Sequence, residues 1–463
     1  MHPTSIESEY RSKCISADEA AALVRSGMSI HLGGAANVAA IIDERLARRV
    51  CELRDVTVRT YIDTHPYQIC DADPEGTAFQ WYSGFILGFT RSLSRKRGIG
   101  VYVPSSWHNV PSFIRNTLSF DVFFLVTPPM TESGFFNFGL TAGETMAIAD
   151  VSKTIVAVVR KDMPTVPGGF EECLPISRID YVVEDDETHT FCLPHVESTD
   201  ADRRIAENIL NAGLIQHGST LQIGIGGLPN SVLELIQAAG FRNLGLHTEM
   251  LTEKMMDLIQ DGVVTNRDKR RDRFKTVFTF CLGSRRLYDF VDRNPLFATY
   301  PVNYTNHPMV IAEQPRMFSL NSAAQIDLTG QVASEQIGGN RPFQISGTGG
   351  QLDFVMGTMF AGDGKGVSVI ALYSEYNGTS KIVPLLEMGT NVTVPRSMVD
   401  HVATEWGIAR LRGLTVQERA LALIAIAHPR HRDELMRQAR NAGLIPYPVC
   451  DSTKPRGVIV QRE

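Results

Sequence analysis

Glu249 lies where a carboxylate of this chain could take part in chemistry. The stretch NLGLHTEM (243–250) alternates apolar and polar residues, which predicts a strand that ends on Glu249 before the next helix. Ligand sites in parallel sheets lie at the carboxyl ends of strands, so a glutamate there could be a base, a metal ligand or a nucleophile. Most glutamates only face solvent, and this alternative stays open. His247 would share the strand face, and a structural role is the favoured interpretation of this histidine.

A glycine-rich turn precedes this strand in the chain. In LQIGIGGLPNSVLELIQ (221–237) an apolar run predicts a strand and a helical pattern follows; between them lie Gly224, Ile225, Gly226, Gly227 and Leu228. Glycine lets a ligand approach the backbone closely, so N–H groups at such a helix start can hold a phosphate or a developing oxyanion. The turn matches neither GxGxxG nor GxxxxGK[ST], and alone it does not predict a nucleotide-binding fold. Its glycines could equally serve only the packing of strand against helix.

A second glycine turn, SGTGGQLDF (346–354), precedes another predicted helix. Gly349 and Gly350 would present bare N–H groups in the same way. Two carboxylates lie close to this turn in the sequence. Glu335 competes with Glu249 for the role of nucleophile, and Asp353 could simply hydrogen-bond a loop.

Alternating strand and helix patterns run along the whole chain and must position these residues. Short β-branched runs are separated by helical spacing, which predicts an α/β fold. The stretch GVYVP (100–104) is among the predicted strands. Near the C-terminus, residues 415–443 have helical spacing that Pro429 interrupts, which predicts a helical cap with its basic residues facing solvent.

An internal repeat predicts how these elements are organised. Residues 22–33 superpose without gaps on residues 213–224, and VPSSWHNVP (103–111) lies opposite YPVNYTNHP (300–308) at a similar shift. The order of these matches predicts two homologous α/β halves, residues 1–200 and 201–463.

Composition excludes several classes of function. The 463 residues carry a formal net charge of −6 and no evident basic face, so we expect no nucleic-acid partner. The seven cysteines form no CxxC pair, which argues against a zinc cage and a disulfide scaffold. The start MHPTSIESEYRSK lacks the apolar core of a signal peptide and no run of ~18 apolar residues occurs, so we expect a cytoplasmic protein without a membrane partner.

Several motifs, taken in order, resemble the acetyl-CoA hydrolase/transferase family, a form of class I CoA-transferase, and within it the 4-hydroxybutyrate and butyrate CoA-transferases. The likeness is strongest over about 204–440, through GIGGLPN, LGLHTEM, FTFCLGSRRLYDFV, NSAAQIDLTGQVASEQIG, SGTGGQLDFVMG and AHPRHRDEL. It implies two similar open α/β halves packed together with the active site at their interface. It also implies that the protein is a homodimer or a larger homo-oligomer.

The resemblance also implies roles for individual residues. Glu249 becomes the nucleophile, and Glu335 becomes a candidate for a supporting role beside it. The residues 224–228, with Gly349 and Gly350, correspond to the backbone that binds CoA and the oxyanion. Coenzyme A and acyl-CoA are then substrates, with no metal and no tightly bound cofactor. The basic stretch RDKRRDRFK (267–275) could meet the CoA phosphates, although charge runs usually face solvent.

The implied reaction moves CoA between acetyl-CoA or succinyl-CoA and a small acid such as 4-hydroxybutyrate or butyrate. It would follow ping-pong kinetics through a glutamyl-CoA thioester. Three alternatives stay open: transfer to a dicarboxylate such as itaconate or succinate, hydrolysis of acyl-CoA on the same fold, and a non-catalytic CoA-binding sensor. Dependence on an acceptor acid separates a transferase from a hydrolase.

Overall fold

The structure is a computed structural model that describes residues 3–194, 196–446 and 455–462, with only the backbone at residues 3, 4 and 89. The described chain forms two compact units. The first unit holds the chain as far as Pro194 together with Glu249–Glu253 and Lys275–Thr305, and the second unit holds the rest. Two short segments of the later sequence, one of which begins at Glu249, therefore fold with the earlier part of the chain.

The first unit is built on a six-stranded parallel sheet. In chain order its strands are Ser29–Gly34, Val56–Tyr61, Phe79–Ser83, Phe120–Thr127, Ser152–Val159 and Tyr181–Glu184. Across the sheet they lie in the order 3-2-1-4-5-6, the arrangement of a doubly wound fold. The strand order reverses between Ser29–Gly34 and Phe120–Thr127, and ligands of such sheets bind at the carboxyl ends of the strands beside this reversal. Phe120–Thr127 is buried almost throughout, as expected of a strand covered on both faces.

Shorter elements complete the first unit. Its α-helices are Pro3–Lys13, Ala17–Ala22, Ala40–Ala47, Gln68–Ala72, Gly88–Arg97, Val110–Thr117, Thr145–Asp150, Arg285–Val291 and Val302–Thr305. Single turns of 3₁₀-helix lie at Ile99–Val101, Trp107–Asn109 and Ile176–Arg178. Three strand pairs are Phe135–Asn137 with Cys173–Pro175, Met250–Leu251 with Phe280–Cys281, and Thr276–Phe278 with Phe297–Thr299.

The second unit is built on a seven-stranded sheet. In chain order its strands are Thr220–Ile223, Gly245–Leu246, Met317–Ser322, Val367–Ala371, His401–Thr404, Gly407–Arg410 and Val458–Gln461. They lie in the order 2-1-3-4-5-6-7; the first five are parallel and the last two pair antiparallel. Here the order reverses between Thr220–Ile223 and Met317–Ser322, which marks the corresponding ligand position of this sheet.

Helices and short strands surround this second sheet. The helices are Asp200–Asn211, Gly227–Ala238, Glu253–Gln260, Pro308–Ala312, Gln351–Met359, Val416–Ala425 and Pro429–Asn441. The short strands are Gln325–Asp327, Val332–Ala333, Gln336–Ile337, Phe343–Gln344, Glu375–Tyr376, Thr379–Ser380 and Ile382–Val383. Across the residues that the structure describes, we find no helix with the length and apolarity needed to cross a membrane.

The sequence repeat coincides with equivalent places in the two sheets. Its first match predicts the strands Ser29–Gly34 and Thr220–Ile223, and each of these strands stands beside the reversal of its own sheet. In its second match, Pro111 and Pro308 each lie in the first turn of a helix that leads into the strand across that reversal. Proline suits that turn because its missing N–H group has no helical partner there.

The predicted strand at 100–104 is wrong. Ile99–Val101 forms a 3₁₀ turn, and Tyr102 makes a single bridge to Ser83. The stretch between Gly98 and Pro104 is too short for a ladder of strand hydrogen bonds. Gly98 has a φ of 82°, outside the strand conformation, and Pro104 has no N–H to donate. The predicted C-terminal helices and the break at Pro429 are confirmed. The apolar face of these helices, which includes Leu423 and Leu435, packs in the core of the second unit.

Candidate active site

Glu249 stands on a backbone that is fixed within the first unit. The residues after it, Met250–Leu251, pair in parallel with Phe280–Cys281. The amides of Thr279 and Phe280 donate hydrogen bonds of 3.0 and 3.2 Å to the carbonyl oxygen of Glu249. Glu249 as a residue is partly exposed, so a ligand can approach it on a fixed main chain.

The strand predicted to deliver Glu249 is shorter than the alternation of residues suggests. Pairing in the second sheet ends at Leu246, and the amide of His247 then donates to the carbonyl of Leu221 at 3.2 Å. The chain then enters the first unit at Glu249. His247 is fully buried and lies near Gln314, with 3.5 Å between Nδ1 and Nε2, which fits its predicted structural role.

Aromatic side chains of the first unit form a framework that packs against Phe280, whose amide bonds to Glu249. The ring of Trp107 packs against Phe280 at 5.3 Å between centroids and stacks on Tyr61 at 5.1 Å with an interplanar angle of 16°. The carbonyl of Thr279 accepts from the amides of Ala142 and Gly143 at 3.0 and 3.2 Å. The loop that carries residue 144 is thereby tied to the same peptide segment that holds Glu249.

Glu144 is a buried carboxyl group on this loop. Its Oε2 accepts a hydrogen bond of 3.0 Å from Nε1 of Trp107. Burial raises the pKa of Glu144 from 4.5 to about 7, although the Trp107 bond favours its ionised form. Trp107 and Glu144 are functional candidates that sequence reasoning missed, because a single glutamate in AGETMAI looks like any solvated one.

A cavity of about 40 Å³ opens beside this framework, next to the strand reversal of the first sheet. The helix Val110–Thr117 forms one wall, and the opposite wall includes His31, Tyr61 and Glu144. Burial lowers the pKa of His31 to about 3, so its imidazole is neutral, and its Nδ1 accepts from the amide of Gly33 at 3.0 Å. The lining residues His31, Arg59 and Phe120 belong to three neighbouring strands, so the cavity lies between the sheet and the helix Val110–Thr117.

The three glycines of the first turn differ in what a side chain would meet at their positions. Gly226 has a φ of 116°, a conformation that side chains rarely adopt. A Cβ on Gly227 would lie 2.5 Å from Oδ2 of Asp202, the residue whose side chain bonds back to Thr199 at the start of the helix Asp200–Asn211. A Cβ on Gly224 would meet nothing within 4 Å. Packing therefore explains Gly227 and backbone geometry explains Gly226, while open space remains at Gly224.

The second glycine turn lies at the same edge of the second sheet. Gly350 precedes the helix Gln351–Met359, and Nε2 of Gln351 donates to the carbonyl of Ser322 at 2.8 Å, where its strand ends. The first turn follows the neighbouring strand at Ile223. Residues 224–228 and Gly349–Gly350 therefore both lie at the carboxyl ends of the strands beside the reversal.

Glu335 is buried under the second turn. Its carboxylate accepts from the hydroxyls of Thr348 at 2.8 Å and Thr393 at 3.2 Å. Its carbonyl accepts from the amides of Ile345 and Ser346 at 2.8 and 3.2 Å. These bonds tie Glu335 to the loop that leads into Gly349. Asp353 is also fully buried, at the start of the following helix.

The basic stretch at 267–275 is mostly a solvated loop, but one of its lysines is buried. Nζ of Lys269 donates to the carbonyl of Leu246 at 2.9 Å, and burial lowers the pKa of this lysine to about 7. Lys269 therefore supports the end of the strand Gly245–Leu246. The periodicity of a charge run does not single out such a residue.

Comparison with known proteins places the chain in a family. The N-terminal domain of the acetyl-CoA hydrolase/transferase family matches residues 2–194, and its C-terminal domain matches residues 283–439. The chain is 36% identical over 439 residues to the probable butyrate:acetyl-CoA coenzyme A-transferase of Syntrophomonas wolfei, which covers 94% of this chain and 97% of that protein. It is 40% identical over 356 residues to the 4-hydroxybutyrate coenzyme A transferase of Clostridium kluyveri, covering 76% and 80% respectively.

Solved structures agree with this assignment. The crystal structure of RipA from Yersinia pestis superposes with a TM-score of 0.85 at 32% sequence identity, covering 95% of this chain and 100% of that one. Both family domains and the relatives in sequence and structure lead to the same result. The chain belongs to the acetyl-CoA hydrolase/transferase family.

Proposed function

We propose that this protein is an acyl-CoA:carboxylate CoA-transferase that uses Glu249 as its nucleophile. The observation that carries the proposal is that Glu249 is partly exposed on a main chain held by Thr279 and Phe280. A carboxylate nucleophile needs such a fixed position, because the reacting atoms must meet in one geometry. Membership of the family, and relatives named as CoA-transferases for butyrate and 4-hydroxybutyrate, support the same reaction.

The reaction conserves the thioester through two covalent intermediates. A Glu249 oxygen attacks the thioester carbonyl of the donor, the carbon–sulfur bond breaks, and CoA thiolate leaves an acyl-glutamyl anhydride. The thiolate then attacks the glutamyl carbonyl, which gives a glutamyl-CoA thioester and releases the donor acid as a carboxylate. The acceptor carboxylate runs these steps backwards, so that Glu249 is regenerated and kinetics are ping-pong.

We assign the two glycine turns of the second unit to CoA and to the oxyanions of these steps. Backbone N–H donors aimed at a tetrahedral oxyanion are worth ~3–4 kcal/mol each in other acyl-transfer enzymes. The open space at Gly224 and the uncapped helix start at Gly350 suit ligand approach. Glu335 holds the second turn in place through Thr348 and does not react.

The donor and acceptor are short acyl-CoA thioesters and small carboxylic acids, and the protein acts as a cytoplasmic homo-oligomer. A panel of acids tested with acetyl-CoA and succinyl-CoA measures this function. We expect CoA transfer that depends on the acceptor, with parallel lines in double-reciprocal plots. Thioester cleavage in buffer alone at the same rate would instead identify a hydrolase. Absence of exchange with labelled CoA would identify a binding protein without catalysis.

A further inference from the structure

Arg59 is a partly buried charged residue of the first sheet. It lies in the strand Val56–Tyr61, in register with His31 on one side and Tyr82 on the other. Its guanidinium carbon lies 5.4 Å from the centroid of the Tyr82 ring, a cation–π contact. Among the residues that the structure describes, no carboxylate forms an ion pair with Arg59. Partial burial lowers the pKa of the guanidinium, yet an arginine stays charged at neutral pH.

The Arg59 side chain forms part of the wall of the cavity beside the helix Val110–Thr117. Arg59 and Tyr82 line it together with His31 and Glu144, and apolar side chains that include Val110 and Phe113 form much of the rest. Its volume of about 40 Å³ corresponds to roughly three water-sized groups. Such a space fits a small polar group or a short chain.

The cavity is linked through Trp107 to the segment that carries the proposed nucleophile. Tyr61 and Glu144 line the cavity, and both contact Trp107. Trp107 in turn packs against Phe280, whose amide bonds to the carbonyl of Glu249. A substrate group in the cavity is thus held by the framework that positions the attacking carboxylate.

We propose that this cavity binds the acyl chain of a short dicarboxylate and that Arg59 pairs with the distal carboxylate of that chain. The inference rests on the proposed CoA-transferase function and names its substrate class. A guanidinium fork matches a carboxylate with two parallel hydrogen bonds, which makes arginine the residue suited to this contact. A monocarboxylate of equal length would place a methyl group against the cation and leave it unpaired.

Among the described residues that line the cavity, Glu144 is the one with a carboxyl group, and it is compatible with an anion there. Because burial raises its pKa to about 7, a large part of the population carries a proton at neutral pH. Protonated Glu144 adds no repulsion and can donate its O–H to the bound carboxylate.

Succinate and butyrate form a matched pair for the test, because both have four carbons and differ only in the distal carboxylate. We measure kcat/KM for each as acceptor with acetyl-CoA as donor. We expect kcat/KM of the wild-type protein to be at least about tenfold higher for succinate than for butyrate, because a hydrogen bond to a charged group is worth about 1.5 kcal/mol or more. We expect Arg59→Leu to lower the succinate-to-butyrate ratio by about 100-fold, and Arg59→Lys to lower it by about tenfold, because lysine keeps the charge without the fork.

Arg54→Leu is the control, since Arg54 is an exposed arginine of the same unit that does not line the cavity. It makes the same chemical change and should leave the ratio as it is in the wild type. Both acids are assayed on one preparation, so a partly unfolded fraction cancels from the ratio.

A wild-type preference for butyrate, or a ratio that Arg59→Leu does not change, overturns the assignment of Arg59 while the CoA-transferase function stands. Failure of the wild-type protein to transfer CoA to any acid overturns the proposed function and this inference with it.

Discussion

The indole nitrogen of Trp107 lies 3.0 Å from Oε2 of Glu144 and donates a hydrogen bond to it. The bond joins a buried carboxyl group to the aromatic ring that packs against Phe280, and Phe280 bonds to the carbonyl of Glu249. A carboxyl group on one loop and the proposed nucleophile on another are therefore linked by one packed framework.

Glu144→Gln should stabilise the protein in mild alkali. The folded-state pKa of about 7 lies above the ordinary value of 4.5, so the stability that protonated Glu144 contributes is fully present below 4.5 and is lost as pH rises through 7. Glutamine keeps the acceptor for Trp107 and has no charge to bury. At about pH 8 we expect the variant to exceed the wild type by up to about 3 kcal/mol in urea unfolding, with little difference at about pH 4. A stability difference that is independent of pH would contradict the burial of an ionisable Glu144.

Glu335→Gln should reduce turnover without abolishing the covalent intermediate. The residue supports the second glycine turn through Thr348 and Thr393, and glutamine can still accept one of these bonds. We expect kcat to fall by no more than about tenfold, in line with the weakening of one hydrogen bond by about 1 kcal/mol. Glu335→Ala should lower the midpoint of thermal unfolding as well. Complete loss of the CoA adduct in Glu335→Gln would mean that Glu335 takes part in the chemistry.

Gly224→Ala and Gly226→Ala should separate ligand binding from backbone strain in the first turn. At Gly226 the φ of 116° makes any side chain strained, at a cost of about 1–3 kcal/mol. That variant should melt at a lower temperature. At Gly224 nothing lies within 4 Å of a new Cβ. The melting temperature of Gly224→Ala should therefore equal that of the wild type, while its KM for acyl-CoA rises. Unchanged kinetics in Gly224→Ala would remove this residue from the ligand site.

Gly350→Val should lower kcat far more than it affects KM. Gly350 has a φ of −97°, which other residues adopt, so the change adds a side chain without forcing the backbone. Valine keeps the backbone N–H, but its side chain blocks the oxyanion from reaching that donor. Loss of a donor contact made only in the transition state costs about two to three powers of ten in kcat. Steady-state kinetics and circular dichroism melting on one preparation measure both effects. If kcat is unchanged in a folded variant, the turn at 224–228 must carry the oxyanion alone.

Local sequence predicts the strand, turn and helix at 221–237 and the helical break at Pro429, because these depend on residues close together in the chain. It does not predict that Glu249 leaves one unit for the other, since alternation of residue types says nothing about which sheet a strand joins. Trp107, Glu144 and Arg59 acquire their importance only when distant strands bring them to one cavity. Arg59 in particular looks like the solvent-facing residue of an alternating strand.

Identification of the residue that carries CoA during turnover tests the central claim most directly. The protein is incubated with acetyl-CoA, quenched in acid and digested, and the peptides are analysed by mass spectrometry with and without hydroxylamine, which cleaves thioesters. We expect one CoA attached to the peptide that contains Glu249, lost on hydroxylamine treatment and absent from Glu249→Ala, which should also show no transfer. An adduct on Glu335, or normal turnover in Glu249→Ala, would contradict the assignment of Glu249 as the nucleophile.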